Sequence, residues 1–442
     1  MRATGFPSVA IHTLGCKVNQ CDTNALLERL TEAGLLIREF NQMVDIYIIN
    51  TCTVTQAGDK KSLQIIRRAR KLNPEAFVAV CGCMPQSQSN NADKIMAAGA
   101  DFIFDTRKPD DLLTKLGEIF VQMNTISLVS LPIHSHSERT RAFIKIQDGC
   151  NRYCNYCIVP YVRGPVVSRP ITEILEEAAT HIQRGMQEIV LTGIQVAAYG
   201  YATGSEVITL PGIIKQLSGL GLKRLRLSSI DPWAVDDEFL AAVGETPTLC
   251  SHFHLSLQSG SDKTLARMNR RYTTTAYAHA VERLKKLRPD VALTTDIIVG
   301  FPGESDADFD ESVRFAKEIG FTKIHVFEYS PRVGTPAADF PNQVLSKIKS
   351  ARGEEMRTLA KSLEHRFWHS QVGKLVPALF EVKTRNSSKL HDLGGTGIWQ
   401  GYTDNYCLVK AQGTNLANKL EYVQITGITE DGLIGELKPN VF

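Results

Sequence analysis

Apolar and polar positions come in short alternating blocks along the chain. From Val9 to about Val129, the runs Val9-Ala10-Ile11, Asp45-Ile46-Tyr47-Ile48-Ile49 and Phe77-Val78-Ala79-Val80 read as buried strands, and Asn24 to Ala33 and Lys60 to Leu72 carry helical spacing between them. That alternation predicts an open α/β domain. Pro132 to Thr140, which includes His134, Ser135, His136 and Ser137, has no apolar period and reads as a linker. Six strand-like segments then recur with helices between them: Ala142 to Gln147, Glu188 to Thr192, Arg224 to Ser229, His252 to Gln258, Ala292 to Val299 and Lys323 to Tyr329. Such repetition predicts a parallel sheet curled into a partial (βα)6 barrel, with its active site at the C-terminal strand ends. Ile171 to Arg184, closed by Gly185, and Asp306 to Ile319, closed by Gly320, carry helix start and stop residues. From about Val372 the pattern shortens to Leu375–Val382, Cys407–Ala411, Glu421–Thr426 and Leu433–Leu437, with turn signals Asp404-Asn405 and Asp431-Gly432 between strands. This predicts a small antiparallel β-barrel. The expected fold class is α/β in three domains, residues 1–131, 132–370 and 371–442.

Composition narrows the setting. The 442 residues are 43% hydrophobic and 22% charged. No apolar run approaches the ~18 residues of a membrane span, and Met1 to Gly15 carries no charged-then-apolar leader, so a cytoplasmic protein with no membrane partner is expected. Lys plus Arg number 50 against 47 Asp plus Glu, an excess that neither requires nor excludes a nucleic-acid partner. Ten cysteines are too sparse for a disulfide scaffold and point to metal ligation.

The sharpest chemical signal is Cys150-Asn-Arg-Tyr-Cys154-Asn-Tyr-Cys157, three thiols on a loop after the first barrel strand. Three thiolates can wrap an iron-sulfur cubane and leave its fourth iron open. A zinc site would want a fourth protein ligand, and no His or Cys closely follows Cys157. Later strand ends carry polar groups and glycines where a βα barrel binds ligands: Gln195, Ser228, Gln258 and Asp296 are the candidates, with ordinary turn chemistry as the alternative. In the N-terminal domain Cys16, Cys52 and Cys83 each lie just beyond a strand-like run, so a parallel sheet would gather all three at one edge. Buried structural cysteines are the alternative there.

The Cys-x3-Cys-x2-Cys loop after the first strand of a βα barrel resembles the radical S-adenosylmethionine superfamily. In that superfamily the open iron is chelated by the amino and carboxylate groups of S-adenosylmethionine, whose reductive cleavage yields a 5′-deoxyadenosyl radical. A counterpart of Tyr156 packs near the adenine. Together with Thr13-Leu14-Gly15-Cys16-Lys17-Val18-Asn19, Asn50-Thr51-Cys52-Thr53-Val54-Thr55, Val80-Cys81-Gly82-Cys83-Met84-Pro85-Gln86 and Ile158 to Pro170, the loop makes nearly the whole chain similar to the methylthiotransferases. The resemblance implies two [4Fe-4S] clusters, one on Cys150, Cys154 and Cys157 and an auxiliary one on Cys16, Cys52 and Cys83. It also implies a C-terminal TRAM-like barrel that holds substrate. One S-adenosylmethionine would supply the methyl group and a second the radical that opens C2 of an adenine. Cys81 sits two residues from Cys83 and competes with it as a ligand; the Gly-Cys-x-x-Gln setting favours Cys83.

The N-terminal motifs are most similar to the branch acting on N6-threonylcarbamoyladenosine next to the anticodon. The branches acting on isopentenyladenosine or a ribosomal-protein aspartate are the alternatives, and a non-catalytic RNA-binding protein with structural metal sites is the competing class. A tRNA anticodon stem-loop, an electron donor and a sulfur source are the partners implied. A threonylcarbamoyl carboxylate calls for a cation, for which Arg332 after the sixth strand is the candidate, with an ion pair to a neighbouring acid or a contact to tRNA phosphate as the alternative. A helical basic run, Lys60, Lys61, Arg67, Arg68, Arg70 and Lys71, suits either solvent or phosphate. Phe380, Trp399, Tyr402, Tyr406 and Tyr422 suit either the terminal core or unpaired bases.

Overall fold

Ile46, Tyr47, Ile48 and Ile49 are all fully buried, which requires a strand covered on both faces. The computed structural model, which describes residues 7–87, 91–121, 140–201, 208–384 and 396–438, supplies that cover. The linker expected at Pro132 to Thr140 lies outside the described residues except for Thr140. The first elements are β1 (Ser8–Thr13), α1 (Lys17–Glu32), β2 (Leu36–Ile37), β3 (Ile46–Thr51), α2 (Gln56–Leu72), β4 (Phe77–Gly82), α3 (Asn91–Ala97), β5 (Phe102–Ile103) and α4 (Pro109–Val121). The strands form one parallel sheet in the order β2-β1-β3-β4-β5. Leu26 and Leu30 of α1 and Leu112 and Leu116 of α4 pack against Ile46 and Ile48, while Ile65, Ile66 and Ala69 of α2 cover Tyr47 and Ile49 on the other face.

In this order the chain leaves β1 toward one edge and β3 toward the other. The crevice where such paths diverge, at the carboxyl ends of the strands, is where open α/β sheets place ligands. The loops after β1 and β3 carry Cys16 and Cys52. Helix α1 starts at Lys17, well ahead of the predicted Asn24, with Cys16 as its extended N-cap residue. Its first turn hides a polar side chain, Asn19, which the apolar period could not reveal. The same compact unit contains Gly149–Pro165, with the short helix α5 (Val159–Arg163), and Ser330–Asp339.

The second unit holds β6 (Arg141–Asp148), β7 (Val167–Ser168), α6 (Ile171–Gln183), β8 (Glu188–Gly193), α7 (Leu210–Ser218), β9 (Arg224–Leu227), β10 (Ser229–Ile230), α8 (Asp237–Glu245) and β11 (His252–Leu255). It continues with α9 (Asp262–Arg267), α10 (Thr274–Leu287), β12 (Ala292–Val299), α11 (Asp306–Ile319), β13 (Lys323–Glu328) and α12 (Ser346–Gln371). The six predicted strands are present. The third is broken at Ser228 into β9 and β10, so the sheet reads as β7-β6-β8-β9 and β10-β11-β12-β13. Backbone bonds still cross the break, Ser228 N–H to the Leu191 carbonyl at 2.9 Å and Cys250 N–H to the Leu225 carbonyl at 2.8 Å. Helix α11 has the predicted bounds, fixed by a Ser305–Asp308 capping box and a left-handed Gly320.

Five terminal strands, β14 (Leu375–Lys383), β15 (Thr396–Thr403), β16 (Leu408–Thr414), β17 (Leu420–Ile428) and β18 (Leu433–Leu437), close a barrel in the order β14-β15-β16-β18-β17. The barrel departs from the expected wholly antiparallel one, because β16 and β18 pair parallel. An odd number of strands cannot close with every neighbour antiparallel. Strand β15 escaped the sequence pattern because glycines, Gly397 and Gly401, interrupt its apolar period.

The terminal barrel is fixed at the N-terminal ends of the barrel strands by buried charge. Glu188 pairs with Arg226 at 2.8 Å and Arg224 at 3.0 Å, and Arg224 and Arg226 donate to the Tyr402, Thr403 and Asp404 carbonyls. Arg141 reaches Glu381 through Nε at 2.7 Å and lies over the Tyr402 ring, while Arg226 lies over Tyr406. These two tyrosines, stacked 5.0 Å apart, therefore serve the anchoring of the barrel. Phe380 and Trp399 are core. Among the described residues no helix is long and apolar enough to cross a membrane.

Candidate functional site

In the first unit three loops converge beyond β1, β3 and β4. Asn19, fixed by hydrogen bonds from its amide nitrogen to the Leu14 carbonyl at 2.8 Å and the Thr51 carbonyl at 3.1 Å, turns its Oδ1 toward two thiols. The Cys16 sulfur is 3.8 Å from that oxygen and the Cys83 sulfur 4.0 Å. Cys52 belongs to the same group, since its thiolate and that of Cys16 each raise the Cys83 pKa. Burial, the larger cause, pushes the Cys83 thiol up to about 11, against the pull of the Arg163 guanidinium. Gly82, at φ +94°, lets the chain pass the Thr51 backbone on its way to Cys83; a Cβ there would strike it.

Cys81 faces elsewhere. It packs with Val9, Ile46, Ile48 and Leu112 on the α1 side of the sheet, fully buried, and burial holds its pKa well above the ordinary thiol value. Strand alternation would keep Cys83 on the face of Cys81, but Gly82 at φ +94° ends the extended chain between them, and Cys83 packs instead with Ile158 and Val162. Cys21, Cys250 and Cys407 are likewise buried.

The second cysteine loop, in the same unit, is opened by Gly149 at φ +71°, where a Cβ would collide with the Pro165 carbonyl. The Arg152 N–H points at the Cys150 sulfur at 3.4 Å, and Cys157 N–H bonds the Cys154 carbonyl at 2.9 Å. Tyr156 is half-buried between Cys154 and Cys157. Helix α5 follows directly and carries Arg163, whose guanidinium donates to Asn19 Oδ1 at 2.6 Å and pairs with Asp22 at 3.1 Å. Ile158 and Val162 of the same stretch pack on Cys83.

Arg332, expected to face a substrate carboxylate, is buried and engaged: one nitrogen pairs with Asp59 at 2.5 Å and another donates to Thr53. It is therefore not a free cation. A loop arginine this close to an acid at the start of α2 is drawn into the ion pair that its burial demands. Only its Nε lacks a partner among the described residues.

In the second unit Gln195 is buried, its N–H donating to the Gln147 side-chain oxygen at 2.7 Å and its side-chain nitrogen to Asp231 at 3.2 Å. Gln258 adopts φ +72°, a left-handed conformation rare for a long side chain, and is held by bonds to both sides of Ile297. The buried Ser228 hydroxyl, at the break in the third strand, has no partner among the described residues. Asp296 of β12 lies 3.4 Å from His254 of β11.

Comparison with known proteins places this arrangement. Residues 144–316 match the Radical SAM superfamily, and residues 8–105 match a family described as Uncharacterized protein family UPF0004. The threonylcarbamoyladenosine tRNA methylthiotransferase MtaB of Bacillus subtilis is 37% identical over 439 residues, covering 95% of this chain and 93% of its own. The chain belongs to the methylthiotransferase family. A tRNA-2-methylthio-N(6)-dimethylallyladenosine synthase of Bartonella quintana is 33% identical over 86% of this chain and 88% of its own. At the level of fold alone, the methylthiotransferase resembles the radical S-adenosylmethionine methyltransferase TsrM of Kitasatospora setae, with TM-score 0.56, 14% identity and coverage of 76% and 77%.

The residues present fit the family's cofactors. Cys52 and Cys83, whose thiols burial holds above the ordinary value, need a positive partner to act as thiolates, which cluster iron supplies. The orphaned Ser228 hydroxyl is an open polar group at a strand end, and the strained Gln258 lies at another, where a radical S-adenosylmethionine barrel takes its cofactor. Asn19 and Arg163 lie inside the cysteine-bearing motifs, where the sequence by itself assigns them no role. Their signal was a polar and a charged residue placed in apolar settings, Leu-Gly-Cys-Lys-Val-Asn and Val-Pro-Tyr-Val-Arg.

Proposed function

We propose that this methylthiotransferase adds a methylthio group to C2 of N6-threonylcarbamoyladenosine, next to the anticodon in the stem-loop of a cytoplasmic tRNA. The observation that carries the reading is the gathering of Cys16, Cys52 and Cys83 beyond the strand ends, Cys16 and Cys83 at the Asn19 Oδ1 and Cys52 beside them, in a fold unit that also contains the Cys150–Cys157 loop. Relatives bearing the threonylcarbamoyladenosine name, at 33–37% identity, support the choice of adenosine.

In this reading Cys150, Cys154 and Cys157 hold one [4Fe-4S] cluster and Cys16, Cys52 and Cys83 the auxiliary one. Bound S-adenosylmethionine and the clusters supply the carbon-radical chemistry that an unactivated C2–H bond needs. The protein's share is positional. Tyr156, Gln195, Ser228, Gln258 and Asp296 orient the cofactor, and Asn19 holds the two outer auxiliary sulfurs in register. Arg163 places a fixed positive charge beside Cys83, favouring the thiolate form that ligation requires. Lys60, Lys61, Arg67, Arg68 and Lys71 lie on one exposed stripe of α2 and suit tRNA phosphates, while Arg70 is spent on the Gly99, Pro74 and Ala76 carbonyls and Asp101. Residues 1–131, 132–370 and 371–442 remain the proposed working domains for auxiliary cluster, radical chemistry and substrate.

The test is mass spectrometry of tRNA nucleosides from a strain lacking the gene. Loss of the 2-methylthio form of threonylcarbamoyladenosine is expected. Loss of the isopentenyl form alone would move the enzyme to the other tRNA branch, and an unchanged nucleoside profile would move it off tRNA.

A further inference from the structure

Three adjacent barrel strands bring His254, Asp296 and His325 together, a group that neither the cysteine chemistry nor the proposed tRNA reaction uses as a set. One donor atom from each lies within 4.8 Å of the other two. Asp296 and His325 are register partners across β12 and β13, and His254 of β11 sits opposite Thr294, one side-chain step before Asp296 on the same face.

The details are those of a ligand set. His254 Nδ1 is hydrogen-bonded to the Thr294 hydroxyl at 3.0 Å, which fixes the ring and turns Nε2 toward Asp296. Metal-bound histidines are oriented in this way by a bond to the other ring nitrogen. The Thr294 hydroxyl also meets His252 Nε2 at 3.1 Å, so with one proton to give it donates to one ring and accepts from the other. If it accepts from His254, the Nε2 lone pair of the neutral ring faces a carboxylate, an arrangement that a proton or a metal cation between them makes favourable. The Nε2 to Asp296 distance, 3.4 Å, is long for a hydrogen bond. It is the spacing of two ligands about 2.1 Å from one ion at about 109°. The two imidazoles, 5.9 Å apart between ring centres and inclined by 35°, leave the third corner to His325. His325 is exposed and Asp296 half-exposed, so the remaining coordination positions are open.

We propose that His254, Asp296 and His325 form a binding site for a divalent first-row transition ion such as zinc, with two imidazoles, one carboxylate and open positions. Two histidines and a carboxylate select ions of this class over magnesium or calcium, which prefer all-oxygen sets. The site is distinct from both cysteine groups in residues and in ligand chemistry.

The test uses anaerobically purified holoenzyme, equilibrated with chelator-buffered zinc, desalted and analysed for zinc and iron together. One zinc per chain is expected in the wild type and in the surface control His279→Ala. His254→Ala and His325→Ala should each lose it with iron content unchanged. Thr294→Val, which removes the orienting bond and no ligand, should weaken zinc binding at least about 10-fold. No zinc in the wild type, or zinc at the wild-type level in either histidine variant, overturns the proposal. If either histidine variant loses iron and circular dichroism, showing misfolding, the Thr294→Val affinity decides, and an unchanged value there overturns it.

Discussion

At the N-terminal ends of the barrel strands, Glu188 is surrounded by Arg224, Arg226 and Arg141, and the arginines find their remaining partners on the terminal barrel. In the crevice beyond β1, β3 and β4, polar groups gather without closing the set: the Cys16 and Cys83 thiols at one buried amide oxygen, Cys52 close enough to act on both, and the Arg332 Nε without a partner among the described residues. Both regions hold polar groups away from water, at a cost met only by partners. Where the protein supplies an acid and carbonyls for its buried charges, the cluster fixes the fold. Where it withholds some, the site is shaped for something the chain does not contain.

The largest expected effect breaks the second region. Replacing Cys16, Cys52 and Cys83 together by Ala should abolish tRNA modification and reduce iron from about eight to about four per chain. A full iron complement in that variant, measured on anaerobic protein, would remove the auxiliary site. The same measurement on Cys154→Ala should again lose about half.

The first region is broken by ending the chain after Gln371. On the sequence alone, such a chain is expected to keep cleaving S-adenosylmethionine while modifying tRNA poorly. The anchoring network changes that expectation, because Arg141, Arg224 and Arg226 would lose Glu381 and the Tyr402, Thr403 and Asp404 carbonyls. Aggregation or failure to fold is expected, read by sedimentation; a soluble, monodisperse product that cleaves S-adenosylmethionine would show the two parts to be independent.

Glu188→Gln tests the same region more gently and should cost about 3–5 kcal/mol, since three guanidinium groups then share a neutral partner. Burial alone would raise the Glu188 pKa, but Arg226, Arg224 and Arg141 bring it down to about 2. A depressed carboxyl stabilises the fold above its ordinary pKa near 4.5 and loses that contribution as pH falls toward 2. Acid unfolding followed by circular dichroism should therefore show a wild-type stability loss of about 3 kcal/mol across that window, absent in Glu188→Gln. Identical profiles would place the acid sensitivity elsewhere.

Cys81→Ala sharpens the contrast within one strand. It should cost roughly 1 kcal/mol, as expected for a small buried side chain, and keep all iron. Loss of about four irons would move the third auxiliary ligand to Cys81. The smallest effect is expected from Arg332→Lys, which keeps a charge near Asp59 but not the bond to Thr53. Methylthiolation of stem-loops bearing threonylcarbamoyl or isopentenyl adenosine should fall by a similar factor for both. A selective loss on the threonylcarbamoyl substrate would return Arg332 to the substrate's carboxylate.

Much of the architecture could be read from the chain because it rests on local pattern. All-apolar runs such as Ile46–Ile49 demand two covering layers, and Ser305, Asp308 and Gly320 mark the ends of α11 by hydrogen bonds within a few residues of the sequence. The Cys-x3-Cys-x2-Cys spacing is likewise local, so its chemistry was visible without a fold. What the sequence could not contain was the meeting of distant residues. Asn19 and Arg163 are 144 positions apart, Arg332 and Asp59 273, and Arg141 and Glu381 240, and each pair is decided by which strands adjoin. A charged side chain carries no mark of its partner; burial decides whether it must have one, and topology decides which. For that reason the sequence leaves Arg332 between a substrate carboxylate and a neighbouring acid, Tyr402 and Tyr406 between the terminal core and unpaired bases, and His254, Asp296 and His325 as three unrelated residues. Chain order alone also left open that a five-stranded barrel must close with one parallel pair, since strand parity becomes a constraint only when the last strand meets the first.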